Sequence, residues 1–224
     1  MANAATATFA GRSIITARLR GLGTEPKNIS WGTSAITGSS NSDVNLFAPA
    51  TESRVAGTST MVATSFLADT YQVVGSITCL VSGKTITEAG LFDSPTLSPT
   101  TTLASTVTSN SVTTLTLSGA VGPSTGNFYA QVGNEVVLVT GGQNTATITV
   151  VRAQLGSSPG ASYAVGTAFT PGGDGGSYVN AALGGASSTW TAALGGSLFA
   201  HADFAGIAVS VNDSINFTFR DQFS

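Results

Sequence analysis

Charged side chains are scarce in this chain: only 8% of its 224 residues are Asp, Glu, Lys or Arg, against about 25% in average proteins. Hydrophobic residues nevertheless make up 42%. That fraction is enough for a packed core, so the low charge does not indicate disorder. Because a surface with so few charges is poorly suited to a soluble monomer, we expect copies of the chain or a larger assembly to cover much of it.

A basic stripe, a long apolar run and a leader are also lacking. The net charge is −3, so the chain is not expected to bind nucleic acid. No apolar run approaches the roughly 18 residues of a membrane span. The first residues have neither the charged nor the apolar region of a signal peptide. We therefore expect no nucleic-acid partner and no membrane partner, and synthesis in a cytoplasm.

One cysteine and one histidine limit the available chemistry. Cys79 cannot form an internal disulfide and is expected to fill a buried apolar position. His201 alone cannot assemble a zinc site, which needs three or four ligands, and it is the sole histidine base for a serine nucleophile. We expect His201 to be a polar residue in a strand or at an interface. The sequence therefore predicts no catalytic residue, no metal site and no cofactor.

Alternating apolar and polar residues predict short strands separated by turns, as in all-β sandwiches and barrels. One face of Tyr71–Val81 is apolar, and Gly83-Lys84 predicts a turn to a partner strand over 85–92. Near the end of the chain, Ser214–Arg220 alternates in the same way after a predicted two-residue hairpin turn at Asn212-Asp213. No helical periodicity of useful length is present.

The middle of the chain predicts a separate β-module. Its four predicted strands are Thr113–Leu117, Asn127–Val132, Glu135–Val139 and Thr145–Arg152. A Thr/Ser/Pro-rich stretch before them and a Gly-rich stretch over 172–177 are interpreted as linkers. We therefore predict an antiparallel β-sandwich or barrel base domain over residues 51–97 and 173–224, with a small barrel-like module inserted over 98–172.

Residues 1–50 contain several glycines and a proline that break regular elements, and are predicted to form an extended N-terminal arm. This segment holds four of the eight basic residues of the chain. The predicted protein-interface residues are Arg12, Arg18, Arg20 and Lys27. Two interpretations stay open: a solvated lead-in, or an arm that docks on an acidic neighbour.

Glu88 lies in the middle of an otherwise apolar predicted strand. Because an unpaired buried charge is costly, the carboxylate is expected to have a partner. The predicted partners are Arg54, Lys84 or backbone amides.

The strand around Glu88 carries a motif that resembles a known group of proteins. It reads Ile86-Thr-Glu-Ala-Gly-Leu-Phe-Asp93, and a segment near the C-terminus reads Val211-Asn-Asp-Ser-Ile-Asn-Phe-Thr-Phe219. Together they resemble structural proteins of tailed-bacteriophage virions, in which a TEAGLFD hairpin is followed by a strand leading to a gD(S/T)(I/L)xFT segment. The motif residues are Thr87, Glu88, Ala89, Gly90, Leu91, Phe92, Asp93 and Asp213.

A second resemblance lies in the middle module. Phe128–Thr140 and Ile148–Gly156 are similar to a small phage virion module that reads I-G-x-E-x-x-x-V-T followed by L-T-V-x-R-G-x-x-G-T. The chain departs from that pattern at three positions. Ala153 stands where Gly is usual, Ser157 replaces the Thr, and Tyr163 stands where a His is common.

These resemblances imply a virion structural protein and not an enzyme. The expected role is that of a head decoration or cement protein on the outer surface of the head, which binds and stabilises the shell. The implied partners are the major capsid protein and copies of the chain itself, as a homotrimer. The alternative is a tail or tail-fibre component involved in host adhesion, in which Trp190, Tyr129 or Tyr163 would stack on a host-surface sugar.

Overall fold

The structure, a computed structural model, describes residues 5–19, 21–172 and 195–223. Strands account for 43% of the residues and helix for 7%, which confirms the predicted all-β class. The elements are β1 (Thr6–Ala7), α1 (Phe9–Leu19), β2 (Asn28–Gly32), β3 (Val55–Ala56), β4 (Thr58–Val62), β5 (Thr70–Thr78), β6 (Lys84–Phe92), β7 (Thr101–Thr102), β8 (Thr114–Thr116), β9 (Phe128–Val132), β10 (Glu135–Gly141), β11 (Thr147–Val151), a 3-10 turn (Gln154–Gly156), β12 (Ala168–Pro171), β13 (Leu198–Val209) and β14 (Ser214–Gln222).

The base is a sandwich of two antiparallel sheets. One has five strands in the order β1-β13-β6-β2-β3, and the other has three in the order β14-β5-β4. Alternate residues of both sheets point into a shared core. That core contains Trp31 and Leu91 from the first sheet and Val73, Ile77 and Phe219 from the second.

Two turns that the sequence predicts as hairpins instead carry the chain from one sheet to the other. β5 pairs with β4 and β14, whereas β6 pairs with β13 and β2. The strands on either side of Gly83-Lys84 are therefore not partners, and neither are β13 and β14 around Asn212-Asp213. Asn212 does adopt the expected positive φ, of 74°. The hairpin predictions are wrong because alternation identifies the apolar face of a strand but not its partner.

The middle of the chain forms a sheet of its own, which we call the barrel. Its strand order is β7-β12-β9-β10-β11-β8, and a bridge between Leu103 and Leu117 links the two end strands. Apolar side chains such as Phe128 and Phe169 fill its interior. The predicted strands Asn127–Val132 and Glu135–Val139 correspond to β9 and β10, which pair across the turn at Gly133-Asn134. Among the described strands, none of the barrel pairs with one of the base, although the predicted domain boundaries themselves stay a prediction.

The chain after β1 forms a helix and not the extended arm predicted over residues 1–50. Thr8 caps the helix, since its Oγ1 accepts a hydrogen bond of 2.9 Å from the amide of Gly11. The helix buries three apolar side chains at helical spacing: Ala10, Ile14 and Ala17. Gly11 lets α1 lie directly on β13, because a Cβ there would be 2.4 Å from the Phe199 carbonyl oxygen. The small residues of this stripe gave no clear helical signal in the sequence.

Two stretches in the rest of the predicted arm, 28–32 and 42–47, are buried within the fold. β2 lies inside the five-stranded sheet, and the following residues form a closed loop, the junction loop (33–48). Val44 of this loop packs on the barrel residue Tyr129, while Leu46 packs on Phe92 of the base. The junction loop therefore fills the space between the base and the barrel, and the prediction of an arm is wrong here as well.

Candidate interaction surface and the buried polar clusters

Residues 87–92 of the TEAGLFD motif lie in β6, between β13 and β2 in the five-stranded sheet, and Asp93 follows the strand. Every motif residue from Glu88 to Asp93 is buried. Gly90 is required by close packing, because a Cβ there would be 2.8 Å from a methyl of Leu198 and 2.9 Å from one of Leu46. The motif is therefore part of the interior and not a surface site.

Polar motif residues fasten loops to this framework. Thr87 donates a hydrogen bond of 2.6 Å to the Ser34 carbonyl in the junction loop. Asp93 accepts one of 2.6 Å from the amide of Ser197 at the start of β13. Asp213 is exposed and accepts one of 2.7 Å from the amide of Ser210, which closes the β13–β14 turn.

Glu88 lies at the centre of a buried polar cluster with His201 and Asp43. Its Oε2 is 3.0 Å from His201 Nε2, and His201 Nδ1 is 2.7 Å from Asp43 Oδ2. Glu88 also accepts hydrogen bonds from the amides of Phe47 (2.9 Å) and Ala48 (2.8 Å). All three ionisable side chains are fully buried. The cluster thus ties β6 and β13 to the junction loop.

The charge on His201 follows from these neighbours. Burial by itself would lower the pKa of His201, but the hydrogen bonds and charges of Asp43 and Glu88 outweigh it and raise the pKa to about 9. The ring is therefore protonated at neutral pH and donates from both nitrogens. A buried ring with both nitrogens engaged has no lone pair for a general base or a metal ligand, so His201 serves to hold the junction loop in place.

We expect His201 to titrate near pH 9 in the folded protein. This pKa lies above the unfolded value of about 6.5, so the folded state binds the proton more tightly. The stabilisation is therefore complete below pH 6.5 and is lost as the pH rises toward 9. Because the chain has a single histidine, heteronuclear NMR follows its imidazole without assignment. Titration near pH 6.5 in the folded protein would contradict the ionised cluster.

Only one kind of predicted partner of Glu88 is found, the backbone amides. Lys84 instead forms an ion pair with Glu52. Arg54 lies over the Phe92 ring, 3.5 Å from its centroid. Both predicted cations are therefore engaged elsewhere, and the imidazolium of β13 takes the place that they were expected to fill.

The sequence analysis did not identify Asp43 as a member of this cluster, nor Gln131 as its neighbour. Gln131 in β9 accepts a hydrogen bond of 3.1 Å from the amide of Val44, and its Nε2 is 3.4 Å from Asp43 Oδ1. Asp43 lies in a Ser/Asn-rich stretch that resembles a solvated loop. The one available signal was Gln131 itself, because an amide inside an apolar strand needs a buried partner.

A second buried cluster lies in the barrel, on residues that carry the second resemblance. Both carboxylate oxygens of Glu135 accept hydrogen bonds from Arg152, from Nε at 2.7 Å and from Nη2 at 2.6 Å. The Tyr163 hydroxyl (3.0 Å) and the amides of Ala153 (2.9 Å) and Gly160 (3.1 Å) donate as well. Burial opposes ionisation, but these donors outweigh it and hold the pKa of Glu135 below its ordinary value.

Two of the positions at which the chain differs from the pattern that it resembles, Ala153 and Tyr163, belong to this cluster. Ala153 has φ 56° and ψ 50°, the left-handed region that favours glycine, which is the residue usual at this position in the module it resembles. Tyr163, at a position where His is common, supplies a hydroxyl donor to Glu135. The cluster therefore remains fully hydrogen-bonded despite both substitutions.

The predicted interface residues are spread over the surface near α1. Arg12 and Arg18 are both exposed on the helix, and a spacing of six residues turns them about 120° apart around its axis. Lys27 is 3.2 Å from Glu25 in a partly exposed ion pair. Arg20 lies outside the described residues. The described members therefore share no common partner within the described residues.

Of the three aromatic residues expected to stack on a sugar, two lie in the described part of the chain. Tyr129 is 8% exposed, so it presents no ring face to a ligand. Tyr163 is held by Glu135, and Trp190 lies outside the described residues. The described part of the chain thus offers the sugar-binding alternative no fully exposed aromatic ring among these candidates.

The outer face of the three-stranded sheet is a nearly uncharged surface, which we call the outer β face. Its cross-strand rows include Thr58–Val74–Thr218 and Thr60–Gln72–Arg220. The outward residues are Thr58, Thr60, Gln72, Val74, Ser76, Asn216, Thr218 and Arg220. Arg220 donates a hydrogen bond of 2.7 Å to Gln72. Depletion of charge is typical of the centre of protein–protein interfaces, so this face is a candidate contact surface.

Within residues 5–19, 21–172 and 195–223, no group of three or more His, Cys, Asp or Glu side chains is arranged to hold a metal ion. No helix in those same residues is long and apolar enough to cross a membrane. Searches of protein-family models, of curated proteins and of solved structures found no significant match to the chain. Its family is therefore not shown, and the resemblance to phage virion proteins stays a prediction.

Proposed function

We propose that the protein is a structural subunit of a tailed-bacteriophage virion that decorates and stabilises the head shell. One observation carries this proposal: the segments that resemble virion proteins coincide with the framework of the fold. The TEAGLFD strand β6 pairs with β13, and the C-terminal motif segment forms β14, which pairs with β5. The second resembling segment supplies β9 and most of β10 and β11 of the barrel, whose strands pair only with one another among the described residues.

The buried ionisable groups support a structural role over a catalytic one. His201 has both nitrogens bonded to carboxylates, and Glu135 accepts five hydrogen bonds inside the barrel. A general acid or base must reach a substrate atom directly or through one water. These groups instead hold strands and loops together.

The outer β face is the surface that we propose to contact the major capsid protein. Its hydroxyl and amide side chains lose little hydration energy on burial compared with charged groups, provided that they find hydrogen-bond partners. A protein that binds only the assembled shell stabilises it by mass action. Further copies of the chain are the second proposed partner, and no cofactor is needed for this role.

Copy number tests this proposal against the tail alternative. Quantitative mass spectrometry of purified virions that carry the chain should find it in numbers comparable to the major capsid protein. A few copies per virion would favour a tail or tail-fibre component, and absence from the virion would contradict both assignments.

A charge placed in the outer β face should weaken attachment to particles. Val74 lies at the centre of this face and is 39% exposed, so V74E should fold while burying a charge in the contact with the shell. We expect particle occupancy to fall at least about tenfold, because burying a charge costs free energy and about 1.4 kcal/mol corresponds to a factor of ten. V151E changes a similarly exposed valine (46%) of the barrel and is the matched control. Equal occupancy of the two variants would exclude the outer β face as the contact.

A further inference from the structure

The loop between β4 and β5 presents two large apolar side chains to solvent. Phe66 is 74% exposed and Leu67 is 93% exposed, and we call residues 63–69 the apolar loop. Removing such side chains from water is favourable. In the isolated chain this contribution is not realised for either residue.

The apolar loop is held in one conformation by Asp69. Its carboxylate accepts hydrogen bonds of 2.8 Å from the amides of Thr64, Ser65 and Phe66, and one of 3.0 Å from the side chain of Gln222. Partial desolvation opposes ionisation, but the amide donors outweigh it and lower the pKa of Asp69. A loop that is ordered in advance loses less conformational entropy when it binds.

The backbone of Ala68 also indicates that the apolar loop is held in one conformation. Its φ is 56°, in the left-handed region that is costly for a residue with a Cβ. Strained backbone persists where surrounding interactions impose it, and it concentrates at binding and switching sites. The hydrogen bonds to Asp69 impose it here, and the result is a fixed presentation of Phe66 and Leu67.

An apolar groove of about 360 Å³ adjoins this loop. That volume lies within the range of pockets that bury small organic groups. Its apolar walls are Ile14, Ile15, Leu19, Tyr71, Phe199 and Phe223. The groove and the apolar loop are neighbours, because the amide of Phe223 donates a hydrogen bond of 2.9 Å to the Asp69 carbonyl.

The groove is lined by one charged residue of each sign, Arg18 and Glu25. Glu25 is paired with Lys27 at 3.2 Å. On the loop, Asp69 is partly exposed beside Phe66 and Leu67. Arg18 lines the groove and donates to the Gly23 carbonyl; in the described part of the chain it forms no salt bridge. An apolar loop of the same sequence, inserted into the groove, would bring its Asp69 carboxylate toward the Arg18 guanidinium.

We propose that the apolar loop of one copy inserts Phe66 and Leu67 into the groove of a second copy, and that two copies do this reciprocally about a two-fold axis. The loop and the groove lie side by side and form one surface patch. Two copies can therefore bind through the same patch, with each loop in the groove of the other copy, which is an isologous contact. This geometry favours a pair over the trimer implied by the sequence resemblance. The inference deepens the self-association within the proposed function and rests on it.

Light scattering coupled to size-exclusion chromatography of the full chain tests the pairing without any phage particle. Between about 1 and 100 μM, a range that spans moderate affinities, the protein should elute at twice its 22.3 kDa chain mass. L67D changes a residue that is 93% exposed, so it should fold and shift the dissociation constant at least about a hundredfold. V165D is the matched control at an exposed barrel valine (60%) and should leave the pair intact.

Cross-linking tests the site of contact. When an L67C protein is mixed with an L19C protein, a short thiol-specific cross-linker should join the two chains, because Leu19 lines the groove. Cys79 is buried and does not compete. A monomer at every concentration, a trimeric mass, a pair that survives L67D, or no joined product would each overturn reciprocal insertion. A tail location or low copy number in virions would contradict the proposed function while leaving this pairing standing.

Discussion

Replacing Glu88 by glutamine is expected to lower the free energy of unfolding by about 3–5 kcal/mol, the usual cost of removing one partner of a buried ion pair. Both oxygens of Glu88 accept from donors, namely two amides and the His201 ring. The amide group of E88Q would place a donor against one of them. It would also leave the imidazolium with Asp43 as its one carboxylate. Urea denaturation at pH 7 measures the loss.

E25Q is the matched control for E88Q. Glu25 forms its ion pair with Lys27 at the surface, where the two side chains are 35% and 44% exposed. Exposed pairs contribute at most about 1 kcal/mol, so E25Q should have a small effect. In E88Q the pKa of His201 should also fall from about 9, because one of the two charges that raise it is gone. An E88Q change no larger than that of E25Q would contradict the account of the buried cluster.

The corresponding change in the barrel, E135Q, is expected to cost about 3–5 kcal/mol as well. It breaks the two-pronged contact with Arg152 and leaves that guanidinium, which is 6% exposed, without its carboxylate. The folded-state pKa of Glu135 is lowered, so its contribution is present above the unfolded pKa and is lost as the pH falls through the folded value. Wild-type and E135Q stabilities should therefore converge in acid.

Y163F measures the contribution of the tyrosine hydroxyl to holding Glu135, apart from the contribution of Arg152. It removes one hydrogen bond of 3.0 Å and keeps the ring and the contact with Arg152. The expected loss is about 1 kcal/mol, the typical net contribution of one hydrogen bond. If Y163F and E135Q cost the same, the tyrosine and not the arginine would be the main support of the carboxylate.

The strands and their pairing were predictable wherever the alternation of apolar residues allowed one pairing partner. The segments Asn127–Val132 and Glu135–Val139 correspond to β9 and β10, and the tight turn between them makes them partners. The turn at Gly83-Lys84 has equally good local signals, yet it connects strands in different sheets. The choice between these outcomes depends on which distant strands compete for pairing, as β14 does for β5, and local patterns do not contain that information.

The buried cluster was predictable only in part, for a related reason. An acid inside an apolar strand needs a partner, so the burial and pairing of Glu88 follow from the sequence. The identity of that partner does not, because His201 lies 113 residues away and Asp43 is 158 residues from His201. The helix α1 was missed because its buried stripe consists mainly of small residues, and its Thr8 cap is one of many threonines.

The proposed role on the head shell is tested most directly by cryo-electron microscopy of virions that carry the chain. The account predicts density for the base sandwich and the barrel on the outer surface of the head, repeated over the capsid lattice, with the outer β face against the major capsid protein. Density for the chain on the tail alone, or none on the virion, would contradict it.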